Sequence, residues 1–185
     1  QGVAQSGTNE AQKGTASVIA EQMASEPKMA TAETPSAKLR REIMVALSDI
    51  EPGKKPDIEV ADEQSAILIS LTDEFDFGMF KVGSASPTRE LILVMGRIAT
   101  VLGNTEGKIT LRGHTDGRQY RTAEKDNWRL STARAQMALY MLVRGGIPES
   151  RIEKIEGHAD KALKVPSDPA ASENRRIEIL IGRES

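Results

Sequence analysis

The chain has two histidines, and each lies in a Gly-His-x-Asp step: Gly113-His114-Thr115-Asp116 and Gly157-His158-Ala159-Asp160. Side chains two apart on an extended chain point to one face. Each step therefore presents a His and an Asp together at a strand end. The four groups have the donor types of a His2Asp2 metal site, as in a metal-dependent hydrolase. Catalysis there would also need an open coordination position and a placed general base, and no residue at motif spacing offers itself as that base. Asp116 has a second possible use. Asn127, Leu130 and Arg134 fall at i, i+3 and i+7 of a helical pattern, on one face. If that helix packs beside the first Gly-His-x-Asp strand, Asp116 and Arg134 face one cleft. A carboxylate takes an ammonium and a guanidinium takes a carboxylate, so such a pair reads a zwitterion. The plainer use of the same pair is a salt bridge tying helix to strand, the commoner fate of Asp–Arg contacts.

The elements that would hold these groups follow from apolar periodicity. Residues 1–34 are dominated by Ala, Ser, Thr, Gln, Gly and Glu, with Val18, Ile19, Met23 and Met29 as the bulky exceptions. Such a segment buries too little apolar area to offset its conformational entropy, which predicts a flexible linker with at most a short transient helix over 16–25. Thr34 as N-cap and Pro35 at the first helical position open an amphipathic helix. It carries Leu39, Ile43, Leu47 and Ile50 on one stripe, and Pro52-Gly53 ends it. That stripe needs a partner, either the main domain or a second copy of the chain.

Residues 57–61 and 66–72 read as a hairpin, followed by a loop carrying Phe75, Phe77 and Phe80. A helix then starts with Ser86 as cap and Pro87 as first residue, runs through Leu91, Val94, Ile98 and Leu102, and stops at Gly103. Residues 108–112 form a strand leading into Gly-His-Thr-Asp. After a polar loop over 118–125, a helix capped by Asp126 or Asn127 runs to Gly145-Gly146, with Ala133, Met137, Tyr140 and Met141 on its buried side. A strand over 151–156, a loop with Pro166 and Pro169, and a last strand over 176–181 complete the chain. The order from Ile67 onward is β-α-β-α-β-β, which predicts an α/β sandwich with two helices on one face of a mixed sheet. The expected organisation is a linker over 1–34, the amphipathic helix and its connection over 35–56, and the main domain over 57–185.

Composition removes several function classes. There is no cysteine, so disulfides, thiolate metal sites and a lipid on an N-terminal cysteine are excluded. The net charge of −2 gives no general pull toward nucleic acid or anionic membrane. Arg112, Arg118, Arg121, Lys125, Arg129 and Arg134 cluster, but only Tyr120 and Trp128 could stack on bases, so the cluster reads as a solvated loop. No apolar run approaches the roughly 18–20 residues that span a membrane. The sequence starts at Gln1 without a basic-then-apolar signal, and is expected to be a mature or truncated segment whose anchor lies outside it. No nucleophile–base arrangement occurs, so a binding module without cofactor is expected and an enzyme is not.

Three motifs in order carry a resemblance: Gly-His-Thr-Asp, then Asn127-x-x-Leu130-Ser131-x-x-Arg134-Ala135, then Asn174-Arg175-Arg176-Ile177-Glu178-Ile179. Together they resemble the OmpA-like peptidoglycan-binding domain over about residues 65–183. In that family the matching Asp and Arg hold the free amine and carboxylate of diaminopimelate in the peptidoglycan stem. The resemblance thus implies ligand roles for Asp116 and Arg134, and places Thr115, Asn127 and Leu130 around the same pocket. Arg175 is carried over as a pocket residue, or as a hydrogen bond to a carboxylate or backbone group that holds the last strand. His114 is implied to be structural, and the echo at His158 to be accidental. The long loop after Gly-His-Thr-Asp, the Asn127-Trp128 start of the motif helix, and Phe80, Gly83, Ser84 and Ala85 resemble the MotB subfamily, the periplasmic anchors of the flagellar motor stator. That implies a periplasmic homodimer, a MotA-type partner and an inner-membrane helix outside this chain. Lys81 departs from the family, where Asp often follows the Phe. The runner-up within the family is the tail of an outer-membrane protein or lipoprotein.

Overall fold

The computed structural model describes residues 32–74, 76–119 and 126–183. The linker expected over 1–34 lies outside them except for its last three residues, and so does most of the 118–125 loop. The elements are α1 (Pro35–Ala46), β1 (Asp57–Glu63), β2 (Ala66–Thr72), α2 (Arg89–Leu102), β3 (Ile109–His114), α3 (Asn127–Arg144), β4 (Ile152–Gly157) and β5 (Arg176–Gly182). The five strands form one mixed sheet in the order β1-β2-β5-β3-β4. Only β3 and β4 are parallel; β5 runs antiparallel between β2 and β3. This is the α/β sandwich expected from the element order.

The sheet has two unlike faces because apolar residues recur with period two. Ile67, Ile69 and Leu71 of β2, Ile109 and Leu111 of β3, and Ile177, Ile179 and Ile181 of β5 all enter one core. Leu91, Val94, Met95, Ile98 and Leu102 of α2 and Ala138, Met141 and Leu142 of α3 cover it. Leu39, Ile43 and Leu47 join the same core, so the partner of the α1 stripe is this chain's own domain. Ile43 and Leu47 are fully excluded from solvent. The other face carries Arg112, His114, Arg176 and Glu178, all on alternate positions.

Each helix is opened by a side chain that accepts an otherwise orphaned backbone N–H. Thr34 Oγ1 takes Ala37 N at 3.2 Å, Thr88 Oγ1 takes Leu91 N at 3.3 Å, and Asp126 Oδ1 takes Arg129 N at 2.7 Å. Thr88, not Ser86, is the cap of α2. The segment before it closes on itself: Pro87 bridges Phe80, Lys81 N bonds Ser86 O, and Thr88 N bonds Met79 O. Pro87 is therefore spent on a loop and not on the first helical turn. α1 stops at Ala46, short of Ile50, because Ser48 N and Ile50 N turn back to Val45 O and Leu47 O in tight three-residue steps.

The buried stripe of α3 includes the expected Asn127, Arg134 and Met141, with Met137 partly buried against the core, but not Tyr140. Asn127, Ser131, Arg134, Ala135, Ala138, Met141 and Leu142 face inward, while Tyr140 is 48% exposed. Small residues face the sheet because the helix lies almost on the strand backbone. A Cβ on Gly113 would stand 2.0 Å from Ser131 O, and one on Gly157 would stand 2.1 Å from Thr132 Oγ1. Gly113 and Gly157 are direct neighbours across the parallel β3–β4 pair. The repeated Gly-His is thus a consequence of packing. Two adjacent strands pass under one helix start, and each needs a residue without a side chain at the crossing. The expectation that the echo is accidental is corrected by this register.

Candidate functional site

Where β3 ends, three connections converge on Asp116. Thr115 N bonds Ala159 O at 2.9 Å, and Gly117 N bonds Pro169 O at 2.7 Å, so both sides of Asp116 are tied to the segment after β4. That segment is itself pinned by Asn174, which is fully buried. Its side chain accepts from Val165 N at 2.8 Å and donates to Asp168 O at 2.9 Å and Pro169 O at 3.2 Å. Asn127, the first residue of α3, donates to Asp116 O at 3.4 Å and to Arg118 O at 3.1 Å. The start of α3 therefore holds the loop that carries Asp116.

The Asp116 carboxylate is 9% exposed and is met by two arginines. Arg175 Nη1 donates to Oδ2 at 2.8 Å, and Arg118 Nη2 reaches the same oxygen at 3.1 Å. Arg118 N also donates to Oδ1 at 3.1 Å. Arg175 is shared with a second acid: its Nε donates to Asp73 Oδ2 at 2.8 Å. Asp73 Oδ1 in turn accepts Met79 N at 2.8 Å, and its own N bonds Arg175 O at 3.1 Å. Burial favours the uncharged form of Arg175, but its bonds to Asp73 and Asp116 outweigh this and raise its pKa above the usual arginine value.

Arg134 is buried and held from the other side. Its Nε donates to Ser84 O at 3.1 Å, and its guanidinium lies 5.0 Å from the centre of the Phe80 ring, a cation–π distance. Asp116 and Arg134 are thus presented by different supports, β3 with β5 for the acid and α3 with the 80–86 loop for the base. Thr115 and Asn127 are 3% and 6% exposed, and Thr115 Oγ1 and Asn127 Oδ1 have no hydrogen-bond partner. Leu130 is half-buried. Lys81 is exposed, with its backbone closing the loop against Ser86.

The two histidines do not assemble a His2Asp2 metal site with Asp116 and Asp160. Their rings stack with centroids 4.8 Å apart and planes at 23°, and do not converge on a common point. His158 Nε2 is 3.0 Å from Glu156 Oε2, and His114 Nε2 is 3.2 Å from Glu178 Oε2. Asp160 pairs with Lys161 and Gln119, and Asp116 with arginine. Among the described residues no group of three or more metal-ligating side chains stands together. Burial would raise the Glu178 carboxyl, but His114 and the ion pair to Arg176 Nε at 2.8 Å hold it down at about 2. Burial pushes the His114 imidazole below the usual histidine range, against the pull of Glu178. Arg112 ties the same face together by reaching Glu63, Glu156 and Glu178.

Sequence reasoning did not single out Asp73 or Arg118. Asp73 is an acid placed directly after an apolar strand, which is a signal, but nothing local shows that its partner is 102 positions away. Arg118 was counted with a basic cluster and not as a partner of Asp116.

Comparison with known proteins agrees with this architecture. The model of the OmpA family matches residues 79–177. Motility protein B of Escherichia coli strain K12 is 30% identical over 129 residues, covering 69% of this chain and 42% of that protein. The chain spans about half the length of the curated relatives it matches. Among solved structures, the cell wall anchor of the T6SS from Pseudomonas aeruginosa is 27% identical with a TM-score of 0.60, covering 77% of this chain and 97% of that one. The periplasmic domain of Helicobacter pylori MotB has the same fold, with a TM-score of 0.59 at 19% identity over 69% of this chain and 89% of that one.

Proposed function

The chain belongs to the OmpA family, and we propose that it is a peptidoglycan-binding module whose pocket takes the zwitterionic end of a diaminopimelate stem peptide. In this reading Asp116 receives the ammonium. Arg134 receives the carboxylate, and Phe80 and Ser84 hold its guanidinium in place. Thr115 and Asn127 supply the remaining hydrogen bonds, Leu130 packs on the aliphatic stem, and Arg175 fixes Asp116 from behind.

The observation that carries this reading is the state of Thr115 Oγ1 and Asn127 Oδ1. Both are buried next to Asp116 and both lack a partner. A buried polar group without a hydrogen bond costs about 1–3 kcal/mol, so each of the two gains from a partner that the protein itself does not supply.

The relationship to motility protein B supports a finer reading: the chain anchors a flagellar stator to the cell wall from the periplasm. A homodimer, a MotA-type partner and an inner-membrane helix outside this chain belong to the same proposal. No helix among the described residues is long and apolar enough to cross a membrane. The outer-membrane protein or lipoprotein tail remains the competing reading.

Co-sedimentation with diaminopimelate-type sacculi tests the proposal, using Asp116→Ala and Arg134→Ala beside the parent chain, each first shown to be folded. The parent should pellet and both variants should stay in solution. Equal pelleting of all three would remove the pocket from the account.

A further inference from the structure

Two guanidiniums already neutralise the carboxylate that is proposed to receive the ligand's ammonium. They are not equally committed. Arg175 is bound to two carboxylates, and its side chain is 23% exposed. Arg118 touches one carboxylate, its side chain is 64% exposed, and its other contact is a 3.4 Å hydrogen bond to Ala170 O. Arg118 therefore spans from Asp116 to the segment after β4 on a single weak ion pair, the kind of exposed contact that contributes little and costs little to break.

Arg175 Nη1 and Arg118 Nη2 already share Oδ2, so an ammonium would be a third cation on one buried carboxylate. Like charges within about 4 Å repel strongly unless water screens them, and Asp116 is buried. Displacing one guanidinium relieves that repulsion, and the exposed one leaves at lower cost. The backbone of Arg118 need not follow, because Asp116 Oδ1 is held by Arg118 N and Asn127 Nδ2 holds Arg118 O. The Asp116 loop thus keeps its shape when the side chain swings out.

We infer that Arg118 is a displaceable strap on the binding site: its guanidinium occupies the ammonium position on Asp116 in the free protein and competes with the ligand for it. This rests on the proposed peptidoglycan reading. It lowers affinity for the stem peptide and raises selectivity, since a ligand without an ammonium has nothing to offer Asp116 in exchange.

The test is calorimetric titration of the parent chain, Arg118→Gln and Asp116→Asn with a soluble diaminopimelate stem peptide. Unchanged thermal midpoints for the variants establish that they are folded, and Arg118→Ala serves as a second strap variant. An exposed ion pair is worth up to about fivefold in an equilibrium constant, so Arg118→Gln should bind about threefold more tightly than the parent. Asp116→Asn should bind at least about tenfold more weakly, as expected for loss of a charged hydrogen bond. If Asp116→Asn is weak but Arg118→Gln binds no better than the parent, the strap is wrong and the pocket stands. If the parent does not bind, or Asp116→Asn binds as the parent does, the pocket reading falls and the strap falls with it.

Discussion

Glu178 should make this fold acid-sensitive in a defined window, and Glu178→Gln should expose the cause. The carboxylate is buried at the centre of the sheet's polar face, with Arg176 Nε at 2.8 Å, His114 Nε2 at 3.2 Å and Arg112 Nη1 at 3.7 Å. Burial works against its charge, but His114 and Arg176 win and hold its pKa at about 2 against an ordinary value of 4.5. At 1.36 kcal/mol per pH unit, this shift corresponds to about 3 kcal/mol of stability. Because the folded-state pKa is depressed, that stability is fully present above about pH 4.5 and is lost as the pH falls toward 2. Gln fills the same space and cannot carry the charge. Urea unfolding of both chains at several pH values should show Glu178→Gln less stable by up to about 3 kcal/mol above pH 4.5, with the gap closing as the pH falls through 2, where the parent's carboxyl also becomes neutral. A gap that stays constant with pH would show that Glu178 acts by shape or hydrogen bonding alone, and would refute the electrostatic reasoning. His114, whose pKa is also lowered, adds acid sensitivity that begins at higher pH, below its ordinary 6.5.

Three further outcomes follow from the packing. Thr115→Val removes a buried hydroxyl that bonds no protein group, so stability by thermal melting should hold or rise by up to about 1–3 kcal/mol while sacculus binding weakens by roughly fivefold; a large loss of stability would mean the hydroxyl has a structural partner. Gly113→Ala places a Cβ 2.0 Å from Ser131 O and should cost about 3 kcal/mol or more in urea unfolding, because the contact is with helix backbone; a cost under about 1 kcal/mol would show that α3 can lift from β3. Ile43→Ala, at a fully buried position of α1, should cost about 3 kcal/mol within a single cooperative transition. A separate early transition would mean that α1 unfolds independently of the sheet.

The fold was largely legible because its signals are periodic and local. Alternation in β2 and β5, helical spacing in α2, and the caps Thr34 and Asp126 read directly from the residues. The places where reading and structure part are those decided by distant contacts. Ser86-Pro87 has the form of a helix start, but the bridge to Phe80 claims it, so α2 is capped by Thr88 and begins at Arg89. Tyr140 looks like core but is exposed, because α3 turns its small residues to the sheet where two glycines let it come close; Met137 packs against the core partly buried. The α1 stripe said that a partner existed without saying which, and the core cluster supplies it from the same chain. In the site, Asp116 and Arg134 are paired by residue type and spacing, whereas Thr115, Asn127 and Leu130 enter the pocket only through the family resemblance. Arg175 was found with two roles open, and its bonds to Asp73 and Asp116 match the carboxylate-bonded one. Asp73 and Arg118 were missed because an ion pair across the fold leaves no periodic trace.

The central claim is that the residues around Asp116 form a ligand pocket for a diaminopimelate stem. The most direct test is an NMR titration of the isotope-labelled chain with that soluble stem peptide, following backbone amides and the arginine Nε–H signals. The account predicts saturable shifts concentrated at Thr115, Asp116, Asn127 and Arg134, with one dissociation constant fitting all of them. Shifts confined to other surfaces, or none at millimolar peptide, would contradict it and leave the Asp116–Arg175–Asp73 chain as scaffold alone.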